Sequence, residues 1–171
     1  MTAKPESWTA RLCSESPAEL VATLQEMSSD TGITGCTAAT IRLAESRSDD
    51  VRQWAAEALE NSITPTLEDV DELAEMLFSA EGGEIAYWSA TMLGRLGESL
   101  GSNSKTAVAA LEFCVGDSMY LPARERAVWA LTQIGPPAAS AALTLRRTAE
   151  DAPPRLQRLV EKALLMLGDA A

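Results

Sequence analysis

Residues 51–59 read Val-Arg-Gln-Trp-Ala-Ala-Glu-Ala-Leu, and the same pattern returns in the segments 85–93, 123–131 and 156–164. The starts of the four segments lie 34, 38 and 33 residues apart. A period of this length is typical of proteins whose units are each too small to bury their own apolar face and must stack on their neighbours. The repetition therefore predicts an architecture of stacked units.

The repeated positions follow the period of an α-helix. Places one, five, eight and twelve are apolar or small, and the spacing i, i+4, i+7, i+11 forms one stripe along a helix. The ninth place is leucine in every segment: Leu59, Leu93, Leu131 and Leu164. Three segments continue with an apolar residue and a glycine, Leu96-Gly97, Ile134-Gly135 and Leu167-Gly168, whereas the first has Ser62-Ile63. We expect each of these glycines to end its helix in the left-handed conformation that only glycine adopts at low cost.

Further helical patterns lie between the repeated segments and before them. Thr66, Ser104 (as an N-cap) and Pro136 are predicted to open the partner helices, and the segment 34–46 pairs with 50–61. Upstream, Ser16 with Glu19 predicts a capping box, and a short helix covers Trp8 to Leu12. This pattern amounts to about ten helices in five hairpins.

The predicted fold is an all-α, right-handed α-solenoid (an α-α superhelix) of about five helical hairpins. Aromatic residues are only 5% of the chain while 46% of residues are hydrophobic, which favours closely packed helices over a sheet. We expect one domain over residues 1–171, with an atypical N-terminal cap at 1–32. The expected units are 33–62, 63–97, 98–135 and 136–168.

The string Val-Arg-x-x-Ala-Ala-x-Ala-Leu at 51–59 resembles the second helix of a HEAT-like repeat, of the short kind found in phycobilin lyases and bacterial scaffold proteins. The other segments match more loosely, and the resemblance covers roughly residues 33–168. It implies a non-catalytic scaffold or adaptor that binds a protein or peptide on its concave face. Two alternatives stay open: a phycobilin-lyase-like protein of chromophore attachment and, ranked below it, a HEAT-like DNA-repair glycosylase.

The composition excludes several classes of site. The chain has no histidine, which rules out histidine-dependent catalytic triads and histidine-bound metals. Its three cysteines, Cys13, Cys36 and Cys114, form no C-x-x-C motif, so we expect three small buried hydrophobic residues and a cytoplasmic protein. No apolar run is long enough to cross a membrane. We therefore expect no catalytic residue, no metal and no cofactor.

Charge is distributed unevenly along the chain. Residues 1–85 carry 5 Lys and Arg against 17 Asp and Glu, while residues 86–171 carry 9 against 8. The acidic total argues against a nucleic-acid partner, because binding phosphates needs a basic surface. Basic residues concentrate towards the C-terminal end: Arg124, Arg126, Arg146, Arg147, Arg155, Arg158 and Lys162. This region is either ordinary surface charge or a patch for an acidic partner.

The predicted partner-binding surface lies at the third and seventh places of the repeated segments, which project away from the buried stripe. In solenoids of this type the second helices line the concave surface, and an aromatic residue in a polar column is a hot-spot candidate. The predicted surface residues at these places are Tyr87, Glu125, Trp129, Arg158 and Lys162, with Arg124 beside them at the second place. The alternative for Trp129 is that it covers the apolar edge of a neighbour. Trp54 and Trp88 share the fourth place and are expected to pack between repeats.

Overall fold

The computed structural model describes residues 7–79 and 82–168, and all regular structure in these residues is helical. The α-helices are α1 (Trp8–Arg11), α2 (Pro17–Met27), α3 (Thr37–Leu43), α4 (Asp49–Asn61), α5 (Val70–Ser79), α6 (Gly83–Leu96), α7 (Ser104–Asp117), α8 (Leu121–Ile134), α9 (Ala142–Asp151) and α10 (Pro154–Met166). Short 3-10 helices cover Leu67–Asp69, Gly97–Asn103 and Pro136–Ala141. The all-α prediction is confirmed for this part of the chain. Residues 1–6 of the predicted cap, residues 80–81 of the predicted repeat 63–97 and residues 169–171 lie outside the described residues.

The helix starts agree only in part with the capping predictions. The Ser16 hydroxyl accepts the Glu19 N–H at 3.5 Å, but the Glu19 carboxylate accepts from Ser14 at 2.5 Å, so half of the predicted capping box is present. Ser104 is the first residue of α7, and its predecessor Asn103 makes no side-chain cap. The prediction that Ser104 is an N-cap is wrong because the 3-10 helix runs directly into α7. Asn103 therefore has helical φ and ψ angles, and an N-cap needs extended ones.

The predicted glycine termini do have positive φ angles. They measure 48° at Gly97, 75° at Gly135 and 81° at Gly168. At Gly97 and Gly135 the ψ angles are −127° and −141°, far from the left-handed helical value near +47°. The prediction of a left-handed end is therefore wrong at Gly97 and Gly135, although their positive φ angles still favour glycine.

The apolar stripe predicted from the repeat is buried. The side chains at places one, five, eight and twelve are buried in all four segments. At the ninth place Leu59, Leu93 and Leu131 have no exposed surface, whereas Leu164 is half-buried. The predicted register of the repeat is therefore confirmed at every stripe position, but the leucine at the ninth place is less buried in α10 than in the other segments.

The chain forms two compact units, Met1–Thr64 and Pro65–Ala171. In the first unit α1 packs against α2, and both α2 and α3 pack against α4. Beyond α4, Ile63 forms an isolated parallel β-bridge with Ile33: the Ile33 N–H donates to the Ser62 carbonyl at 2.9 Å, and the Thr64 N–H donates to the Ile33 carbonyl at 2.8 Å. This pairing explains why the first repeat has Ser62-Ile63 where the others have a helix-ending glycine. The assignment of 1–171 to a single domain stays a prediction.

Within the second unit, helices two positions apart in the chain are neighbours. Helix α8 packs against both α6 and α10, and α7 packs against both α5 and α9. Consecutive helices also pair, α5 with α6, α7 with α8 and α9 with α10. The repeated segments of this unit, which form α6, α8 and α10, therefore lie side by side.

The three cysteines differ in exposure. Cys36 and Cys114 are buried, but Cys13 is exposed. The prediction of three buried cysteines is thus wrong for Cys13, which follows the end of the four-residue helix α1 and donates its backbone N–H to the Ala10 carbonyl. Burial raises the pKa of the Cys114 thiol to about 12, although a hydrogen bond with Ser118 and the charge of Arg124 oppose the shift.

We expect one of the three thiols to react rapidly with a disulfide reagent such as dithionitrobenzoate at pH 8 in the native protein. The reactive species is the thiolate, and a thiol with a pKa of about 12 is almost fully protonated at that pH. Cys36 and Cys114 should react only after unfolding in guanidinium, and Cys13→Ser should remove the rapid phase. Two rapid thiols in the native protein would contradict this assignment.

Candidate functional site

Helices α6 and α8 approach each other closely at Gly94, and the Trp129 ring lies against this glycine. A Cβ atom added at Gly94 would be 2.4 Å from Cζ3 of Trp129 and 3.0 Å from Cα of Ala130. The space that glycine leaves is therefore filled by the indole ring. Trp129 remains half-buried, so it both covers the neighbouring helix and keeps part of its surface open to solvent.

The guanidinium group of Arg126 lies over two aromatic rings. Its Cζ atom is 4.8 Å from the ring centroid of Tyr87 and 5.0 Å from that of Trp129. It also donates a hydrogen bond to the Tyr87 hydroxyl. Arg126 and Trp129 lie three residues apart on α8, a spacing that places them on the same face. We call Tyr87, Arg126 and Trp129 the aromatic–arginine cluster; cation–π contacts and a hydrogen bond orient its arginine.

An ion pair lies beside this cluster and joins α8 to α10. Nε of Arg155 is 3.1 Å from a carboxylate oxygen of Glu125. The Glu125 side chain is only 13% exposed, whereas that of Arg155 is 75% exposed. Ion pairs with such an exposed partner contribute little to stability. This pair matters because it places one positive and one negative charge beside the aromatic–arginine cluster.

The cluster and the ion pair line one cavity of about 350 Å³. Its wall consists of Tyr87, Pro122, Glu125, Arg126, Trp129, Arg155 and Leu159. The volume falls within the range of small-ligand pockets and suits one or two side chains of a partner. Two arginines and one glutamate give the wall a formal charge of +1.

The structure brings together three of the six residues predicted for the binding surface, Tyr87, Trp129 and Glu125. Arg124 is elsewhere: its Nε donates to the Val115 carbonyl at 2.8 Å, and it lines a separate cavity with Asp117, Thr144 and Arg147 among others. Residues two apart on a helix do not share a face, which separates Arg124 from Arg126.

The other two predicted surface residues lie on α10, where Arg158 and Lys162 are exposed. Neither is among the residues that line the 350 Å³ cavity. Their part in binding stays a prediction. Trp88 is 6% exposed and Trp54 is half-buried, and the packing of these two residues between repeats stays a prediction.

Gly94 was not predicted, and Arg126 and Arg155 were named only in the C-terminal basic region, not in the six-residue binding surface. Arg126 could have been found from its i, i+3 spacing to Trp129. Gly94 is an isolated glycine inside a helical pattern, which often marks a close approach of another element. Arg155 reaches Glu125 from another helix, and no local spacing in the sequence indicates that contact.

The described residues contain neither a metal-binding cluster of side chains nor a membrane-spanning helix. Among residues 7–79 and 82–168, no three cysteine, aspartate or glutamate side chains are grouped so that they could hold a metal ion. No helix in the same residues has the length and apolar character needed to cross a membrane.

No protein-family model matches the chain, and no curated protein is significantly similar to it. The resemblance to HEAT-like repeats therefore stays a prediction made from residues 51–59 and their repetition.

Proposed function

We propose that the chain is a non-catalytic protein- or peptide-binding module of the HEAT-like type. The packing within the second unit supports this architecture, because α6, α8 and α10 are successive neighbours, as are α5, α7 and α9. Two parallel rows of helices are what a right-handed α-solenoid has. In that arrangement the row α6, α8 and α10 presents one continuous face to a partner.

The observation that carries the proposal is the Arg126 guanidinium held over Tyr87 and Trp129 at the wall of the cavity. Tyrosine, tryptophan and arginine are the residues most enriched in binding hot spots. Here they are half-buried and already oriented by one another, so little side-chain freedom remains to be lost when a partner binds. A preformed site of this composition favours binding over a structural role alone.

The charge distribution supports an acidic partner. The cavity wall carries a formal charge of +1, and residues 86–171 carry a net charge of +1. Residues 1–85 carry a net charge of −12, which repels acidic molecules that approach elsewhere along the chain. The charge of residues 86–171 is therefore the better match for an acidic peptide.

The test is a selection from a random 12-residue peptide library, followed by nuclear magnetic resonance of the ¹⁵N-labelled protein with the enriched peptides. We expect enriched peptides to move the indole N–H signal of Trp129. Trp8 and Trp54 lie in the first compact unit and serve as internal controls whose signals should stay in place. The proposal fails when no peptide is enriched, or when the enriched peptides move only the control signals.

A further inference from the structure

We propose that the cavity takes one carboxylate side chain, Glu or Asp, of the partner, and that Arg126 is the residue that binds it. This inference rests on the proposed function and specifies its chemistry. It depends on three features of the cavity: the donors left on Arg126, the charge of the wall, and its apolar surfaces.

Arg126 keeps unused hydrogen-bond donors. A guanidinium has five N–H groups, and one of them donates to the Tyr87 hydroxyl. Within residues 7–79 and 82–168 the structure gives Arg126 no carboxylate partner and no second acceptor. The guanidinium lies over both rings, and its unused N–H groups are on the edge of its plane. That edge matches the two oxygens of a carboxylate.

The charge of the wall selects a singly charged anion. Glu125 lines the same cavity with a side chain that is 13% exposed, and its carboxylate already binds Arg155. One carboxylate from a partner would bring the total charge to zero. A phosphorylated side chain carries a charge of about −1.5 to −2 and would leave excess negative charge beside Glu125. The wall therefore favours a carboxylate over a phosphate.

Apolar surfaces complete the pocket. Pro122, Leu159 and the Trp129 ring line it together with the charged groups. The methylene groups of a glutamate or aspartate side chain can contact these surfaces while the carboxylate reaches Arg126. Partial removal of water from the ion pair strengthens it relative to an exposed pair.

The experiment uses three small probes: acetyl-glutamate methylamide, its glutamine analogue and its phosphoserine analogue. Each is titrated into the ¹⁵N-labelled full chain while the Nε–H signal of Arg126 and the indole signal of Trp129 are followed. We expect saturable shifts with the glutamate probe, at least about tenfold weaker binding of the glutamine probe, and intermediate binding of phosphoserine. Equal binding of glutamate and glutamine, or tighter binding of phosphoserine, would overturn the inference.

Variants separate the role of Arg126 from a general effect of charge. Arg126→Gln should abolish binding of the glutamate probe. Arg126→Lys keeps the charge but loses the planar fork, and should weaken binding by about tenfold. Arg95→Gln is the matched control, since Arg95 is exposed on α6, does not line the cavity and is not one of the predicted surface residues; it should bind like the wild type. A loss of binding in Arg95→Gln equal to that in Arg126→Gln would also overturn the inference.

If Arg126→Gln does not fold, Glu125→Gln tests the role of the wall charge in the same cavity. It raises the formal charge of the wall to +2, so phosphoserine should then bind at least as tightly as glutamate. An unchanged preference would show that the wall charge does not select the ligand. If no probe binds, the carboxylate inference fails, while the proposed function is still judged by whether library peptides move the Trp129 signal.

Discussion

Leu131→Ala is expected to lower the free energy of unfolding by about 2–5 kcal/mol, the usual cost of removing a fully buried leucine side chain. Leu131 has no exposed surface and lies on α8, which packs against both α6 and α10. The truncation leaves a space that helices on both sides would have to close. Chemical denaturation followed by circular dichroism measures the change.

Two leucines on α10 provide the comparison. Leu165 is 70% exposed, so Leu165→Ala should change the free energy of unfolding by no more than about 0.5 kcal/mol. Leu164 occupies the same repeat place as Leu131 but is half-buried, and its truncation should fall between the other two. A cost for Leu131→Ala as small as that for Leu165→Ala would show that the register of the repeat is wrong.

The buried stripe was predictable because it follows from a local spacing that recurs four times. Every residue at places one, five, eight and twelve is buried. This includes Ser89 and Val160, although the other two segments have alanine at the fifth place. Helix ends were less predictable. Ser104 looks like an N-cap in sequence, but a 3-10 helix before it fixes the backbone of Asn103 in a helical conformation. The helical conformation of Asn103 depends on the turns at Gly97 and Gly101, and the residue type at one position does not reveal it.

Half of the predicted site was found because the third and seventh places do project from the stripe. Tyr87, Glu125 and Trp129 all line the cavity. The fourth place was expected to serve packing on the basis of Trp54 and Trp88, yet it also holds Arg126 and Leu159, which line the cavity. The fourth place of the repeat is thus buried in the segment 85–93, where it holds Trp88, but lines the cavity in the segments 123–131 and 156–164. That change depends on contacts between helices, which residue spacing within one helix does not show.

Gly94→Ala is expected to lower the free energy of unfolding by about 1–3 kcal/mol, the usual cost of overfilling a packed contact. In an unconstrained helix the same change would raise stability by roughly 0.5–1 kcal/mol, because alanine loses less backbone entropy than glycine. At Gly94 the added methyl group would be 2.4 Å from the Trp129 ring and 3.0 Å from the Ala130 backbone. Either the ring or helix α8 must move, and urea denaturation measures the net effect.

Gly116 supplies the matched control for this change. It also lies inside a helix, α7, and the nearest atom to an added Cβ is a Thr144 methyl carbon at an ordinary 3.7 Å. Gly116→Ala should therefore be neutral or stabilise the protein by up to about 1 kcal/mol. If Gly94→Ala is also stabilising, the close approach of α6 and α8 is absent in solution.

The consequence of Gly94→Ala for the cavity separates packing from binding. Because the Trp129 ring fills the space at Gly94, displacing it also removes one of the two rings that orient Arg126. The variant should therefore bind the glutamate probe more weakly than Gly116→Ala does. Combining Gly94→Ala with Trp129→Ala removes the ring clash, so the double variant should be more stable than the sum of the single changes predicts. Additive losses would mean that the two residues are not in contact, and that the cavity wall is built differently.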